Sequence, residues 1–200
     1  MTEWEKAQAG YLYDANYDKS LLEKRNACND LCFEYNHLKP SDAAAKAALL
    51  RRIIGKVKGS AIVTAPFYCD YGVNITLGES FYSNYNLVLL DGAPITFGDN
   101  VFIAPNCVFT TAAHPIDTSQ RNAGLEVALP ITVGDNVWFG ANVTVLPGVT
   151  IGSDTVIGAG SVITKDIPSG VVAVGSPCRV LRPITDADKH KYPIFSEEIK

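Results

Sequence analysis

Large apolar side chains recur at six-residue intervals within three runs, 77–95, 97–109 and 133–163, and this period constrains the fold more than any other feature. The phrase Ile-Thr-x-Gly begins at positions 75, 95 and 131. Counting by sixes from the residue after each threonine reaches a large apolar residue at every step except Ser83. These positions are Leu77, Leu89, Ile95, Phe97, Ile103, Phe109, Val133, Phe139, Val145, Ile151, Ile157 and Ile163. A helix repeats about every 3.6 residues and a strand every two, so neither explains the pattern.

A period of six instead predicts a mainly β fold in which each coil has three short flat sides. Stacked coils lie ~4.8 Å apart and hydrogen-bond through their backbones, while one large residue per side fills the interior. Smaller or β-branched residues follow the large ones by four positions, at Val101, Cys107, Val137, Val143, Val149, Thr155 and Ser161. We therefore predict a parallel β-helix over residues 57–183; chance periodicity in a β-sandwich is the alternative.

The first 56 residues have a different texture and predict an N-terminal helical arm. Few glycines interrupt them, and apolar residues fall on one face of a long helix. The predicted features are a capping box of Thr2 and Glu5, a helix over 18–37, a helix over 43–52 capped by Ser41, and an end at Gly55. Residues 184–200 are predicted to form a polar tail.

The spacing of the repeat locates one insertion. Leu77 to Phe97 is 20 residues and Val133 to Ile151 is 18, whereas Phe97 to Val133 is 36. About 16 residues beyond one coil have therefore been added, at about 112–130. Loops longer than ~12 residues are usually functional or disordered, and the mixed composition of this one favours function.

His114 lies where the chain leaves the repeat. A histidine at the edge of a cleft suits general-base catalysis, because its unperturbed pKa is ~6.5. A structural hydrogen-bonding role is the alternative. His37 ends a predicted helix, where it complements the helix dipole, and His190 lies in the polar tail.

The composition excludes several classes of protein. The net charge of −4 and the lack of a basic run argue against nucleic-acid binding. No segment has the ~20 apolar residues that span a bilayer, so we expect a cytoplasmic protein. Five cysteines are then expected as free thiols. Cys28 and Cys32 could share a helix face, but no second Cys or His pair completes a zinc site, and no metal is predicted.

Three segments together resemble the maltose/galactoside O-acetyltransferases of the hexapeptide-repeat superfamily, and more closely the maltose branch. They are "CDYGVNITLG", "AAHPIDTSQRNAGLE" and "PGVTIGSDTVIGAGSVITKDIPSGVVAVGSPCRV". The resemblance implies a left-handed parallel β-helix, a homotrimer with active sites between subunits, and acetyl-CoA as donor. It implies transfer of an acetyl group to a hydroxyl of a sugar such as maltose, glucose or a galactoside.

The resemblance also implies roles for particular residues. His114 would remove the proton of the attacking hydroxyl, Asn84 would stabilise the developing oxyanion, and Glu126 would orient His114 through its second ring nitrogen. The residues that would bind coenzyme A are Ala141, Ala159, Thr164, Lys165, Arg179 and Arg182. Those that would bind the acceptor are Asp14, Asn16, Asp70, Tyr82, Asn84 and Asp91.

The acceptor segment departs from the galactoside branch, which has a serine where this chain has Asp70 and an aspartate where it has Gly92. Galactosides are therefore not the only acceptors to consider. A xenobiotic or antibiotic O-acetyltransferase and a non-catalytic trimeric scaffold are the other functions. Covalent catalysis through Cys107 is disfavoured because its hexad position points inward, and a three-histidine metal site lacks its histidines.

Overall fold

A parallel β-helix with a helical arm at its N-terminal end makes up the computed structural model, which describes residues 1–192. The helices are α1 (Glu3–Gln8), α2 (Lys19–His37), α3 (Ala43–Ile53) and α4 (Thr118–Asn122), followed by a 3-10 helix at Asp186–His190. The strands are β1 (Tyr13–Asp14), β2 (Lys56–Val57), β3 (Ala61–Val63), β4 (Phe67–Cys69), β5 (Ile75–Leu77), β6 (Phe81–Ser83), β7 (Leu87–Leu90), β8 (Ile95–Phe97), β9 (Phe102–Ile103), β10 (Val108–Thr110), β11 (Ala112–Ala113), β12 (Leu125–Ala128), β13 (Ile131–Val133), β14 (Trp138–Phe139), β15 (Thr144–Val145), β16 (Thr150–Ile151), β17 (Val156–Ile157), β18 (Val162–Ile163), β19 (Val171–Val174) and β20 (Arg179–Pro183).

Three sheets form the faces of the β-helix, and each coil adds one strand to each face. The first face has the order β2-β5-β8-β13-β16, the second β3-β6-β9-β14-β17-β19-β20, and the third β4-β7-β10-β15-β18. All neighbouring strands are parallel except β20, which folds back antiparallel on β19. The parallel β-helix predicted from the period of six is confirmed.

The interior contains the residues that the period selected. Every large hexad residue is at most 2 % exposed. Four phenylalanines, Phe81, Phe97, Phe109 and Phe139, stack along the axis with ring centroids 5.0–5.1 Å apart. Ser83, the exception in the repeat, is also buried, and its hydroxyl has no hydrogen-bond partner among residues 1–192.

The arm covers the exposed edge of the first coil. Arg51 donates to the carbonyls of Val57 and Gly59 at 3.1 and 2.7 Å. Asn36 donates to the carbonyl of Phe67 and accepts from its N–H, at 2.9 and 2.8 Å. These side chains satisfy backbone groups that a preceding coil would otherwise pair.

The helix boundaries follow the sequence signals with one difference. Thr2 and Glu5 form the capping box. The cap of α3, however, is Asp42 and not Ser41, because the Asp42 carboxylate accepts the N–H of Ala45 at 3.0 Å. None of the helices described for residues 1–192 has the length and apolar character needed to cross a membrane. Of the predicted polar tail, residues 193–200 lie outside the described part.

The insertion forms a small antiparallel sheet with the arm. Strands β11 and β12 pair across the loop, with α4 between them. Strand β1, more than a hundred residues earlier, adds to the other side of β12 and places Tyr13 opposite Glu126. The arm and the inserted loop therefore form one structural unit.

Candidate active site

His114 follows β11 directly, and its ring lies between two oxygen-bearing groups of β12. Its Nδ1 is 3.1 Å from the backbone carbonyl of Leu125. Because a carbonyl can only accept, Nδ1 carries the proton in this contact, and in the neutral ring Nε2 then carries the lone pair. The side chain is half-exposed. The fold thus presents Nε2 as a proton acceptor to the adjacent cavity.

The carboxylate of Glu126 lies on the opposite side of the ring from the position predicted for it. Its Oε1 is 3.6 Å from Nε2 of His114, whereas the orienting contact at Nδ1 comes from Leu125. Backbone carbonyls carry no sequence signal, which is why the prediction assigned this contact to the nearby acidic side chain. Beside Nε2, the carboxylate is suited to stabilise a positive charge on the ring.

Tyr13 holds the other oxygen of Glu126. Its hydroxyl donates to Oε2 at 3.2 Å. Burial, and then the Glu126 charge, raise the pKa of Tyr13 well above its usual value, so the hydroxyl remains a donor. The arm strand β1 thereby fixes the carboxylate next to His114.

A cavity of about 350 Å³ opens in front of these residues. Its walls include Tyr13, Arg25, Asp70, Tyr71, His114 and Glu126. Burial raises the pKa of Asp70, and the nearby charge of Arg25 opposes this shift. One cation, two carboxyl groups and the His114 ring thus line a space otherwise bounded by tyrosines, a leucine and small side chains.

Arg25 is a member of this cavity that the sequence analysis missed. It extends from α2, donates to the carbonyl of Ala15, and leaves its Nε buried without a hydrogen-bond partner within residues 1–192. A signal was present: Arg25 lies four residues after Leu21 and three before Cys28, on the buried face of α2. A charged residue on an apolar helix face is the pattern that could have identified it.

Three predicted acceptor residues have other contacts in this chain. Asp14 accepts the N–H groups of Asn16 and Tyr17 at 3.2 and 2.9 Å, and Asn16 donates to the carbonyl of Gly124 at 2.8 Å. The Asn16 side chain therefore joins the arm to the inserted loop, whereas the Asp14 carboxylate stabilises a turn within the arm. Asp91 is fully buried and accepts the N–H of Tyr71 at 2.8 Å, so it lies inside the coil and not in the cavity wall.

Asn84 lies at a different corner of the β-helix. It follows β6, where the second face turns into the third, and its N–H donates to the carbonyl of Ile103 at 2.8 Å. The same corner in later coils carries Ala104, Gly140 and Gly158, with Ala141 and Ala159 one position further along. A shallow column of small residues therefore runs along this edge from Asn84.

A whole face separates Asn84 from His114 within one chain. The third face lies between their two corners, and six residues at ~3.3 Å each span up to ~20 Å. Within residues 1–192, Asn84 does not line the cavity that contains His114. Tyr82, on the outer surface of β6, is also outside the cavity.

The predicted cations lie in the last coils of the β-helix, and Lys165 follows β18 at the corner after the third face. Lys165 and Arg179 line one cleft of about 190 Å³. Arg182, on β20, forms two hydrogen bonds with Asp188 of the 3-10 helix, at 2.8 and 2.7 Å. Thr164 is exposed beside Lys165. Three cationic side chains thus lie in the last coils, and that of Arg182 is paired with Asp188.

Comparisons with known proteins agree with this architecture. Residues 6–59 match the family model of the maltose acetyltransferase hexapeptide capping motif, and residues 130–165 match that of the bacterial transferase hexapeptide repeats. A maltose O-acetyltransferase structure from Clostridium difficile 630 is 46 % identical, with a TM-score of 0.90, over 93 % of this chain and 99 % of that one.

Two further structures contain coenzyme A or its acetyl form. A galactoside acetyltransferase in complex with coenzyme A is 44 % identical, with a TM-score of 0.92, over 98 % of this chain and 97 % of that one. A hexapeptide-repeat acetyltransferase from Vibrio cholerae O1 biovar eltor, complexed with acetyl coenzyme A, is 38 % identical, with a TM-score of 0.85, over 93 % and 100 % of the two chains.

The left-handed parallel β-helix, its capping arm and the inserted loop with a histidine at its base together define a hexapeptide-repeat acyltransferase. Within that class the chain belongs to the maltose/galactoside O-acetyltransferase family. It is an O-acetyltransferase that uses acetyl-CoA as its donor, as the sequence resemblance implied.

Proposed function

We propose that the protein acetylates a hydroxyl group of a sugar by direct attack on acetyl-CoA, with His114 as the general base. The observation that carries this proposal is the contact of Nδ1 with the Leu125 carbonyl, which leaves Nε2 free beside a polar cavity. The acceptor hydroxyl gives its proton to Nε2 while its oxygen forms a bond to the thioester carbonyl carbon. Glu126 stabilises the imidazolium that results.

The second half of the reaction returns this proton. The tetrahedral intermediate carries its negative charge on the former carbonyl oxygen, to which the side-chain amide of Asn84 donates a hydrogen bond. The carbon–sulfur bond then breaks, and the sulfur of coenzyme A takes the proton from Nε2. Direct attack is favoured over a covalent route through Cys107, because that thiol is fully buried inside the β-helix.

The cavity supports a sugar as acceptor. Asp70 and Glu126 offer carboxylate oxygens to hydroxyl groups, and Arg25 offers donors, so a small polyhydroxylated ring can be paired on several sides. Maltose, glucose and galactoside-like sugars are the acceptors proposed. A xenobiotic acceptor remains the second candidate, and a screen of sugars, nucleosides and hydroxylated antibiotics that follows thiol release distinguishes the two.

We further propose a homotrimer in which each site lies between two subunits. The distance between the corners of Asn84 and His114 supports this, since a second copy can bring the His114 loop against the column that begins at Asn84. The second face also carries exposed apolar side chains in register from coil to coil, at Ile62, Phe102 and Trp138, with Tyr82 between them. Such a column suits burial against another subunit.

For the donor, the column of small residues is proposed as the pantetheine groove. Ala141 and Ala159 leave room for the amide chain to approach the backbone. Lys165, Arg179 and Arg182 are proposed to neutralise the phosphates, with Thr164 beside them.

Replacing His114 tests the central proposal. We expect His114→Ala to lower kcat by about 10²–10⁴ with the assembly intact, because the acceptor proton loses its base. Turnover is measured by thiol release and the assembly by light scattering. His37→Ala, at the exposed end of α2, is the matched control and should retain full activity. Unchanged turnover in His114→Ala would contradict the proposal.

A further inference from the structure

Three cysteines meet where α2 packs against the β-helix. Cys28 and Cys32 lie one turn apart on α2, and Cys69 ends β4. The Cys69 sulfur is 3.5 Å from that of Cys28 and 3.7 Å from that of Cys32, and all three sulfurs lie within 4.8 Å of one another. The sequence offered only the helical pair; the fold supplies a third thiol from 37 residues further on.

These separations match those that a single metal ion imposes on its sulfur ligands. Zinc–sulfur bonds are about 2.3 Å long, so two sulfurs at a tetrahedral angle lie about 3.8 Å apart. The two sulfur–sulfur distances at Cys69 are within 0.3 Å of that value. An ion could therefore bind all three sulfurs with little movement of the backbone.

Access and charge also fit a cation. A cavity of about 390 Å³ has Cys28 in its wall, together with Lys24 and Arg52. It gives an ion a path to Cys28, whose sulfur lies within 4.8 Å of the other two. The two cationic side chains offset the negative charge that three thiolates and one divalent ion leave behind.

We propose that Cys28, Cys32 and Cys69 form a binding site for a zinc-type divalent ion that joins α2 to the first coil of the β-helix. On binding, the three thiols lose three protons to solvent, three metal–sulfur bonds form, and no group is oxidised or reduced. The role is structural, since the ion would fix the helix that carries Arg25 and Asn36. This site is separate from the acetyl-transfer chemistry.

Cobalt(II) reports such a site directly in the full-length chain. Reduced, metal-free protein should bind one Co²⁺ and develop the thiolate charge-transfer and visible bands of a tetrahedral sulfur site. Added Zn²⁺ should remove these bands, release about three protons per ion, and raise the Tm of the protein by several degrees. Absence of the thiolate bands would overturn the proposal.

Variants test whether these three sulfurs are the ligands. Cys69→Ala and Cys32→Ala should each weaken Co²⁺ binding by at least about 100-fold, with folding checked by far-UV circular dichroism. Cys107→Ala, which removes a buried thiol elsewhere in the β-helix, is the matched control and should bind as the wild type does. Bands that persist in both cluster variants, or disappear equally in the control, would contradict the assignment.

Discussion

Two oxygen atoms flank the ring of His114 and influence different stages of proton transfer. The Leu125 carbonyl selects the neutral tautomer before reaction, whereas the Glu126 carboxylate favours the cation that exists after it. Tyr13 keeps that carboxylate in place from the arm. The histidine could be predicted from the position of the insertion, but its orienting carbonyl could not, because every residue has one.

Removing the charge of Glu126 while keeping its shape should slow the chemical step. We expect Glu126→Gln to lower kcat about 10-fold or more with a smaller effect on KM, because the imidazolium loses its nearby anion. Tyr13→Phe deletes only the hydroxyl that positions the carboxylate. It should also lower kcat, but by less, with a loss of transition-state stabilisation near the ~1 kcal/mol of one hydrogen bond. Steady-state kinetics with acetyl-CoA check both; an unaltered kcat in Glu126→Gln would refute this role.

Asp91 should make stability depend on pH. Burial raises its pKa in the folded chain to about 7, well above its ordinary value of 3.8. At a pH between these two pKa values, the folded chain keeps a proton on the Asp91 carboxyl group that the unfolded chain has lost. The free energy of unfolding therefore falls as pH rises from 4 to 7, by at most about 4 kcal/mol. Urea unfolding at pH 5 and pH 8 measures the difference. Asp91→Asn cannot ionise and should show a smaller difference; an equal one would rule out this origin.

At the scale of elements, the arm and the inserted loop depend on each other. The β-helix itself could be predicted because each coil repeats the same inward positions, and the insertion followed from counting. The pairing of β1 with β12 could not be predicted, because a two-residue strand shows no alternation of apolar and polar residues and its partner lies over a hundred residues away. Gly92 contributes to this contact: a Cβ there would lie 3.0 Å from the Tyr13 hydroxyl.

Gly124 offers a test of that contact. It has a φ of +78°, and a Cβ there would lie 2.6 Å from the ring of Tyr17 in the arm. We expect Gly124→Ala to loosen the arm, raising the acceptor KM several-fold and the hydrogen exchange of residues 1–17. Gly160→Ala is the matched control, with a similar φ of +71° but open space around it. Gly160→Ala introduces the same kind of backbone strain but should leave the hydrogen exchange of residues 1–17 unchanged. If both variants raise this exchange equally, a clash with Tyr17 is not the cause.

At the scale of the whole molecule, a face of the β-helix separates Asn84 from His114. If both residues act at one active site, two different chains must supply them. The small-residue column and the exposed apolar column lie on neighbouring parts of the same coil. No sequence pattern specifies how copies associate. The oligomer was inferred from resemblance, whereas the separation of the two corners within one chain is seen in the structure.

Mixing two inactive variants should restore activity if the sites are shared. Asn84→Ala and His114→Ala chains, unfolded together at equal amounts and refolded, form sites that draw one residue from each neighbour. About one site in four then has both intact residues, so roughly a quarter of wild-type activity should return. Each variant refolded alone is the control. No recovery in trimers shown to be mixed would mean that each chain completes its own site.

The contacts that Arg51 and Asn36 make with the first coil have a consequence for assembly as well as for folding. Each coil presents backbone donors and acceptors at the spacing found in amyloid-like fibrils, so a bare first coil would be an open edge at which a strand of another chain can pair. By occupying those groups, the arm ends the stack. A chain shortened to begin at residue 56 would therefore risk end-to-end polymerisation, a hazard that the arm prevents whatever the acceptor of the enzyme.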